Sequence, residues 1–469
     1  MGTNLEKIDP VNERLPLSRL FPLGLQHVLA MYAGAVIVPI IVGLALKLTP
    51  EQMTVLVAAD LFTCGLATLV QTFGFGKSVG IKLPIVMGCT FTAVGPMISI
   101  GLGAGGVTDI YGAIIASGVF ALFASFFFGK LVRFFPPVVT GTVVLIIGVS
   151  LVTVAINNCG AGAFGPFDGF NPDGTNRYAA DFGDPKYLAL ALFTLLFILG
   201  VNKYFSGFIK ALSVLLGMVA GTVAGLFMGL TNLQPVADAS WFHFVTPFYF
   251  GAPTFHAPAI ITMCLVAVVS MVESTGVFFG LGKVCDKRIS ENDIGRGLRA
   301  EGVAQILGGV FNAFPYTTFS QNVGLVALAG IKTRYVTVVA GFILVILGLL
   351  PKFAALATII PNPVLGGAMV ALFGMVAASG VKMLQQVDFN KTSNLLVVAC
   401  SVSMGVGASV VTPLFSKMPE LFHILFSSGI VSGSVTAILL NLFFNFSEIM
   451  NKSSEQIFNE VAHVDEAVM

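Results

Sequence analysis

Apolar runs of membrane length recur from Phe21 to Phe446, and nothing else in this chain limits its fold as strongly. A helix needs ~20 predominantly apolar residues to cross the hydrocarbon core of a bilayer. The chain is 56% hydrophobic and only 10% charged, whereas a soluble domain carries roughly 25% charged residues. The expectation is an all-α polytopic membrane protein.

Helices are expected near 22–46, 52–73, 110–129, 134–156, 186–203, 208–231, 257–281, 296–312, 335–350, 363–383, 394–411 and 422–446. Two further crossings, near 83–103 and 314–330, are interrupted by Pro84, Gly88, Gly95, Pro96 and Pro315. The count is fourteen, with the third and tenth broken. Of the 24 Lys and Arg, nineteen fall in segments that this count places on one side, and only Lys47, Arg177, Lys186, Lys352 and Lys417 on the other. Basic residues stay cytoplasmic, so both termini are expected inside and the 157–185 loop outside. The stretch from Phe21 is too long for a signal-peptide core.

Polar residues repeat inside this apolar pattern. Thr90-Phe91-Thr92 resembles Thr318-Phe319-Ser320, 228 positions later, with Gln321-Asn322-Val323-Gly324 following. Tyr111 opens a span as Tyr335 does, at an offset of 224. Pro137, Gly141, Val144 and Gly148 match Pro363, Gly367, Val370 and Gly374 at an offset of 226. Seven spans separate each pair, and seven is odd, so the second half must lie upside down. Inverted repeats with interrupted helices bind solutes near the bilayer midplane. The organisation expected is a tail over 1–21, a first repeat over 22–231, an external loop over 232–256, a second repeat over 257–446 and a tail over 447–469.

Within the spans, Glu273 lies in Ser270-Met-Val-Glu273-Ser-Thr-Gly276, with Ser270, Gly276 and Gly280 on its face. A charge at mid-bilayer costs about 2.5–3.5 kcal/mol on insertion scales and usually marks a substrate or proton pathway. The other reading is a carboxyl that ties two helices together. Glu301 reads as functional or as an ion-pair partner of Arg296 and Arg299. Asp60 and His27 read equally as packing groups or functional ones. Gln321 and Asn322 do not titrate, but each amide offers two donors and an acceptor to a planar solute with adjacent N–H and C=O groups; interhelical bonding is the alternative. Phe91 and Phe319 stand where a ring could stack on such a solute.

Other classes are excluded. A net charge of +1 gives no case for nucleic acid. The six cysteines and five histidines show no metal spacing. No nucleophile elbow, zinc-protease or phosphate-loop motif occurs, so neither an enzyme, a cofactor nor an ATP-driven pump is expected.

Gln321-Asn322-Val323-Gly324 with the later Gly330-Ile-Lys-Thr-Arg resembles the signature of the nucleobase–ascorbate transporter family, the second nucleobase–cation symporter family. Gln26-His27-Val-Leu-Ala, Glu273 and Pro363-x-Leu-Gly-Gly-Ala-Met agree with it, from about residue 17 to 446. Around Gly88-Cys-Thr-Phe-Thr-Ala-Val and Phe311-Asn-Ala-Phe-Pro-Tyr the similarity is to bacterial xanthine and uric acid permeases. The resemblance implies fourteen spans in a seven-plus-seven inverted repeat, in which spans 1–4 and 8–11 form a core and spans 5–7 and 12–14 a gate. It implies substrate contacts at Glu273 and Gln321, helped by Phe91 and Ser320. It implies support or proton coupling at Glu301, Asn322, His27 and Thr90. The implied activity is proton-coupled uptake of xanthine, with uric acid beside it, by a homodimer in the bacterial inner membrane. Uracil or another nucleobase is the alternative substrate, and an inorganic-anion exchanger of related fold the alternative class. Glu301 stands where relatives often have Asp, and Ala329 where the motif has threonine.

Overall fold

A computed structural model describes residues 9–128, 134–161, 167–170, 176–178 and 181–451. Residues 1–8 of the first expected tail, most of the last one, Lys130, Arg133 and much of the 157–185 loop lie outside these residues. The described chain is helical almost throughout. The first-half helices are α1 (Leu17–Ala45), α2 (Pro50–Phe73), α3 (Val94–Gly101), α4 (Gly106–Ala124), α5 (Pro137–Cys159), α6 (Pro185–Tyr204) and α7 (Ser213–Phe227). The second-half helices are α8 (Ala257–Val284), α9 (Glu291–Val310), α10 (Ser320–Ala329), α11 (Tyr335–Gly348), α12 (Asn362–Leu384), α13 (Thr392–Val410) and α14 (Gly429–Asn451). Four three- or four-residue strands accompany them: β1 (Met87–Cys89), β2 (Phe167–Phe170), β3 (Asn176–Tyr178) and β4 (Tyr316–Thr318).

Nine of the described helices are long and apolar enough to cross a membrane, or ten if α11 and the helix Pro351–Thr358, bent by 82° from it, make one span. The other expected positions hold α3, α7, α9 and α10. α9 is long but carries Glu291, Asp293, Arg296, Arg299 and Glu301. Local chemistry sets the helix starts. Thr49 and Gln52 form a capping box before α2, and Ser290 and Asp293 another before α9, each satisfying donors that a helix start leaves open. Three expected spans differ in detail. The last breaks at Ser428 into Glu420–Ser427 and α14, the seventh at Leu212 into Gly207–Ala211 and α7, and the eleventh turns at Pro351.

The packing is that of an inverted repeat. α2 packs on α11 as α9 packs on α4, and α1 on α11 as α8 on α4. α6 packs on α12 as α13 packs on α5, α7 on α12 as α14 on α5, and α5 and α12 pair at the centre. Two packing groups result: α1–α4 with α8–α11, and α5–α7 with α12–α14. Apolar side chains of the second group, such as Leu196, Val223, Leu395 and Phe443, remain exposed where lipid would lie.

The broken spans meet inside the eight-helix group. β1 and β4 pair antiparallel, with Met87 opposite Thr318 and Cys89 opposite Tyr316. The ladder continues through Thr90 N–H to Pro315 O at 2.9 Å and Phe319 N–H to Val86 O at 3.1 Å. Pro84, Gly88 and Pro315 disfavour continuous helices here, and an unpaired strand edge cannot stand in hydrocarbon; each broken span supplies the other's partners. A Cβ on Gly88 would sit 2.4 Å from the Phe319 ring, so only glycine admits that ring between β1 and α1.

Candidate functional site

The antiparallel β1–β4 pair makes α3 and α10 start beside one another and run apart. A cavity of about 330 Å³ opens against this junction. The eight-helix group lines it with Val269, Val272, Glu273, Gly276, Val277 and Gly280 of α8, and with Ser320, Val323, Gly324 and Ala327 of α10. Facing them are Val139, Thr140, Val143, Val144 and Ile147 of α5, Ser379 and Met383 of α12, and Ile438 of α14. Its lining also reaches Phe135, Gly280, Ala327 and Met383, beside Lys283, Lys332 and Lys382 in sequence. The cavity therefore extends toward the basic end of the molecule. At that end Lys82 is held below its usual pKa, by burial and then by the charges of Arg296, Arg334 and Lys287.

Helical spacing explains which side chains reach the cavity. On α10, positions 320, 323, 324 and 327 form one stripe, while Asn322, Leu325 and Val326 form the buried stripe toward α1. On α8, Glu273 and Gly276 face the cavity, whereas Ser270 and Ser274 turn to the strands. Ser274 Oγ lies 2.9 Å from Thr317 Oγ1 and accepts the Thr318 N–H at 3.1 Å. Ser270 Oγ reaches Thr90 Oγ1 at 3.5 Å. The small residues on the Glu273 face leave the room that the sequence suggested.

Glu273 has no hydrogen-bond partner among the described residues. Ser320 opens α10 and is exposed to the cavity. Gln321, next to it, is exposed and uncommitted, but it is not part of the lining. Phe91 is also outside the lining; it is half-buried and meets Phe373 of α12 edge-on at 5.4 Å. Asn322 is buried, and its Nδ2 donates to His27 Nδ1 at 3.0 Å and to His27 O at 3.2 Å, while its Oδ1 finds no partner. Thr90 is buried and its Oγ1 accepts the Thr92 N–H. Glu301 is fully buried; Thr318 Oγ1 donates to its Oε1 at 3.1 Å, and its Oε2 has no partner among the described residues. The ion pairs that the sequence suggested for Glu301 do not form among the described residues: Arg299 Nε donates instead to Ser78 O, and Arg296 pairs with Asp293.

Behind the strands lies Asp60, also fully buried. Tyr316 Oη donates to its Oδ1 at 3.0 Å, and Cys64 Sγ approaches its Oδ2 at 3.7 Å. Thus Tyr316 and Thr318, two apart on β4, hold the carboxylates of α2 and α9. Thr317, between them, faces α8. Sequence reading assigned no role to Ser274, Tyr316, Thr317 or Thr318. Their signal is the run of three adjacent hydroxyl residues, whose alternation on a strand serves both faces.

Chemically the site is a mostly apolar slot with one unengaged carboxylate, the Ser320 hydroxyl, two further hydroxyls (Thr140 and Ser379) that donate to their own helices, and a nearby free amide, sized for a small molecule. It lies between two packing groups, each built from both halves of an inverted repeat, at interrupted helices, the architecture of a membrane permease.

The chain belongs to the nucleobase–ascorbate transporter family: the model described as "Permease family" matches residues 18–414. It is 56% identical to the nucleobase transporter PlUacP of Paenibacillus larvae over 91% of this chain and 95% of that protein. It is 55% identical to the xanthine permease of Bacillus subtilis over 90% of this chain and 93% of the relative. Against the uric acid permease PucK of the same organism, identity is 53% over 91% and 95%. Among solved structures, the transmembrane domain of the cyanobacterial bicarbonate transporter BicA superimposes with a TM-score of 0.63, covering 86% of this chain and 99% of that one at 14% identity. Murine Slc26a9, an anion transporter in the inward-facing state, gives 0.61 over 92% and 69%, also at 14% identity. The seven-plus-seven inverted-repeat fold is common to all three.

Proposed function

We propose that the protein takes up xanthine, with uric acid as a second substrate, by proton symport across the bacterial cytoplasmic membrane. The observation that carries this reading is the cavity where the uncommitted Glu273 carboxylate and Ser320 face a gap between the two packing groups. Glu273 accepts ring N–H groups of the purine. Gln321, at the edge of the slot, pairs with the neighbouring carbonyl and N–H, and Phe91 flanks the ring. Asn322 with His27 fixes α10 against α1, and Thr90 fixes the facing strand. Glu273 or Glu301 exchanges the coupled proton. The eight-helix group is the core and the six-helix group the gate. The basic end is cytoplasmic, both termini lie there, and the cavity opens inward. A homodimer is the functional unit.

The names of the relatives support the substrate class, and three of them between them specify nucleobases, xanthine and uric acid. The anion-carrier reading suggested by the fold alone lacks a counterpart among the described residues: no Lys or Arg of theirs lines the cavity, and a carboxylate does. The deciding experiment is uptake of labelled xanthine in cells, with urate, uracil, guanine and hypoxanthine as competitors, with and without a protonophore. Strong competition by urate alone and collapse of accumulation with the protonophore are expected. Normal xanthine uptake by surface-expressed Glu273→Ala would overturn the assignment.

A further inference from the structure

Residues 239–256 link the six-helix group to the eight-helix group and carry no Asp, Glu, Lys or Arg. They hold Trp241, Phe242, Phe244, Phe248, Tyr249, Phe250 and Phe255. Such a composition normally lies inside a protein. Here Trp241 and Phe244 are each 71% exposed, and Phe242 and Phe255 more than half exposed.

The segment is nevertheless held in place. His243 N–H donates to Leu349 O at 3.1 Å, beyond α11, and Phe248 N–H to Val310 O at 2.9 Å, at the end of α9. Thr254 N–H donates to Thr108 O in α4, and its hydroxyl to Asp109. Asn312 Nδ2 donates to Thr246 O at 3.0 Å, and His256 Nδ1 lies 2.7 Å from Asp109 Oδ1. Trp241 is steadied by Lys352 Nζ, 5.2 Å from its ring, which also donates to Val236 O. These anchors sit at helix ends opposite the basic face, so the strap runs at the level where spans leave the bilayer.

Two demands then conflict. Its backbone is irregular and largely unpaired, which hydrocarbon does not tolerate on a lipid-facing surface. Its rings are apolar and uncovered, which water disfavours. Only the boundary between headgroups and acyl chains meets both, and amphipathic rings concentrate there. The adjoining helices, which meet the strap at Leu349 and Lys352, also expose the apolar side chains Ile346, Phe353 and Leu356. We propose that residues 241–255 form an interfacial anchor whose partner is the lipid headgroup–acyl boundary, and which fixes the outer end of the eight-helix group at the membrane surface.

Trp241 is the chain's sole tryptophan, so the native protein reports on itself. The full-length protein is reconstituted into phosphatidylcholine vesicles whose chains are brominated either close to the headgroup or near the chain end, and emission is compared with that in unbrominated lipid. The anchor requires blue-shifted emission, loss of most of it to the shallow bromines, a smaller loss to the deep ones and little quenching by aqueous iodide. Emission at the wavelength of free tryptophan with full iodide quenching places the ring in water and overturns the proposal. Emission indifferent to both bromine and iodide places it against protein, such as a second copy of this chain, and overturns it equally.

Discussion

Glu273 and Glu301 differ in what surrounds them, and that difference separates their expected mutants. Glu273 has no hydrogen-bond partner among the described residues and faces the cavity, so a substrate there can supply the hydrogen bonds it lacks. Losing a hydrogen bond to a charged group costs about 1.5–3 kcal/mol, or roughly 10- to 150-fold at 1.4 kcal/mol per decade. Glu273→Gln should weaken xanthine binding by at least the lower figure while leaving surface expression intact, as radiolabel binding to purified protein would read. Glu301 already accepts from Thr318 through one oxygen. Glu301→Gln keeps an acceptor there and mimics the protonated acid. It should retain exchange of internal for external xanthine yet lose protonophore-sensitive accumulation; equal loss of both activities would assign Glu301 to structure. At this scale the sequence was partly legible. Glu273 and Ser320 are singled out by a charge in a span and a motif, and Asn322 and His27 each by the motif, but that these two bond to one another is not legible there. Nor are the roles of Tyr316 and Thr318, because which hydroxyl meets which carboxylate depends on strand register across 256 and 17 positions.

The β1–β4 pair is the element on which the site hangs. Its sequence mark is the repeated Gly/Pro-bounded polar run, legible as two interruptions but not as two strands bonded to each other. Three-residue strands carry too little pattern to be read, and their pairing is a long-range event. Gly88 is the most exacting position, because a methyl there would enter the Phe319 ring. Overpacking of this kind costs about 1–3 kcal/mol, and the ring has Gly34 of α1 on its other side. Gly88→Ala should therefore lower the thermal midpoint of the purified protein and reduce uptake. Gly88→Ala with Phe319→Leu should recover much of the stability, whereas failure to do so would place the strain elsewhere. By contrast, the capping residues of α2 are independent of the site. Thr49→Ala should cost about 1 kcal/mol with substrate affinity unchanged, which a thermal shift measured beside a binding curve would show.

For the whole molecule, the inverted repeat was the most legible feature, since hydropathy, basic-residue bias and three repeat offsets all report it independently. The state of the cavity was not, because one sequence serves every position of the two packing groups. The structure shows a wide gap toward the basic end, while between α8 and α14, on the other side of the strands, only about 20 Å³ remains, lined by Thr92, Val266, Val269, Ile430, Val431 and Ser434 among others. If the basic end is cytoplasmic, a thiol at Ser379, on the exposed α12 wall of the wide gap, should be reached from inside. A thiol at Ser434, buried in the narrow one, should be shielded from both sides until the groups move. In a functional background lacking the six native cysteines, Ser379→Cys should react with a charged thiol reagent in inside-out vesicles and resist it in intact cells. Xanthine should slow that reaction by occupying the slot or by shifting the groups. Ser434→Cys should gain reactivity from outside only while transport runs. Equal labelling of Ser379→Cys from the two sides would mean a channel rather than a carrier, and labelling from outside alone would reverse the orientation on which inward release of the purine depends.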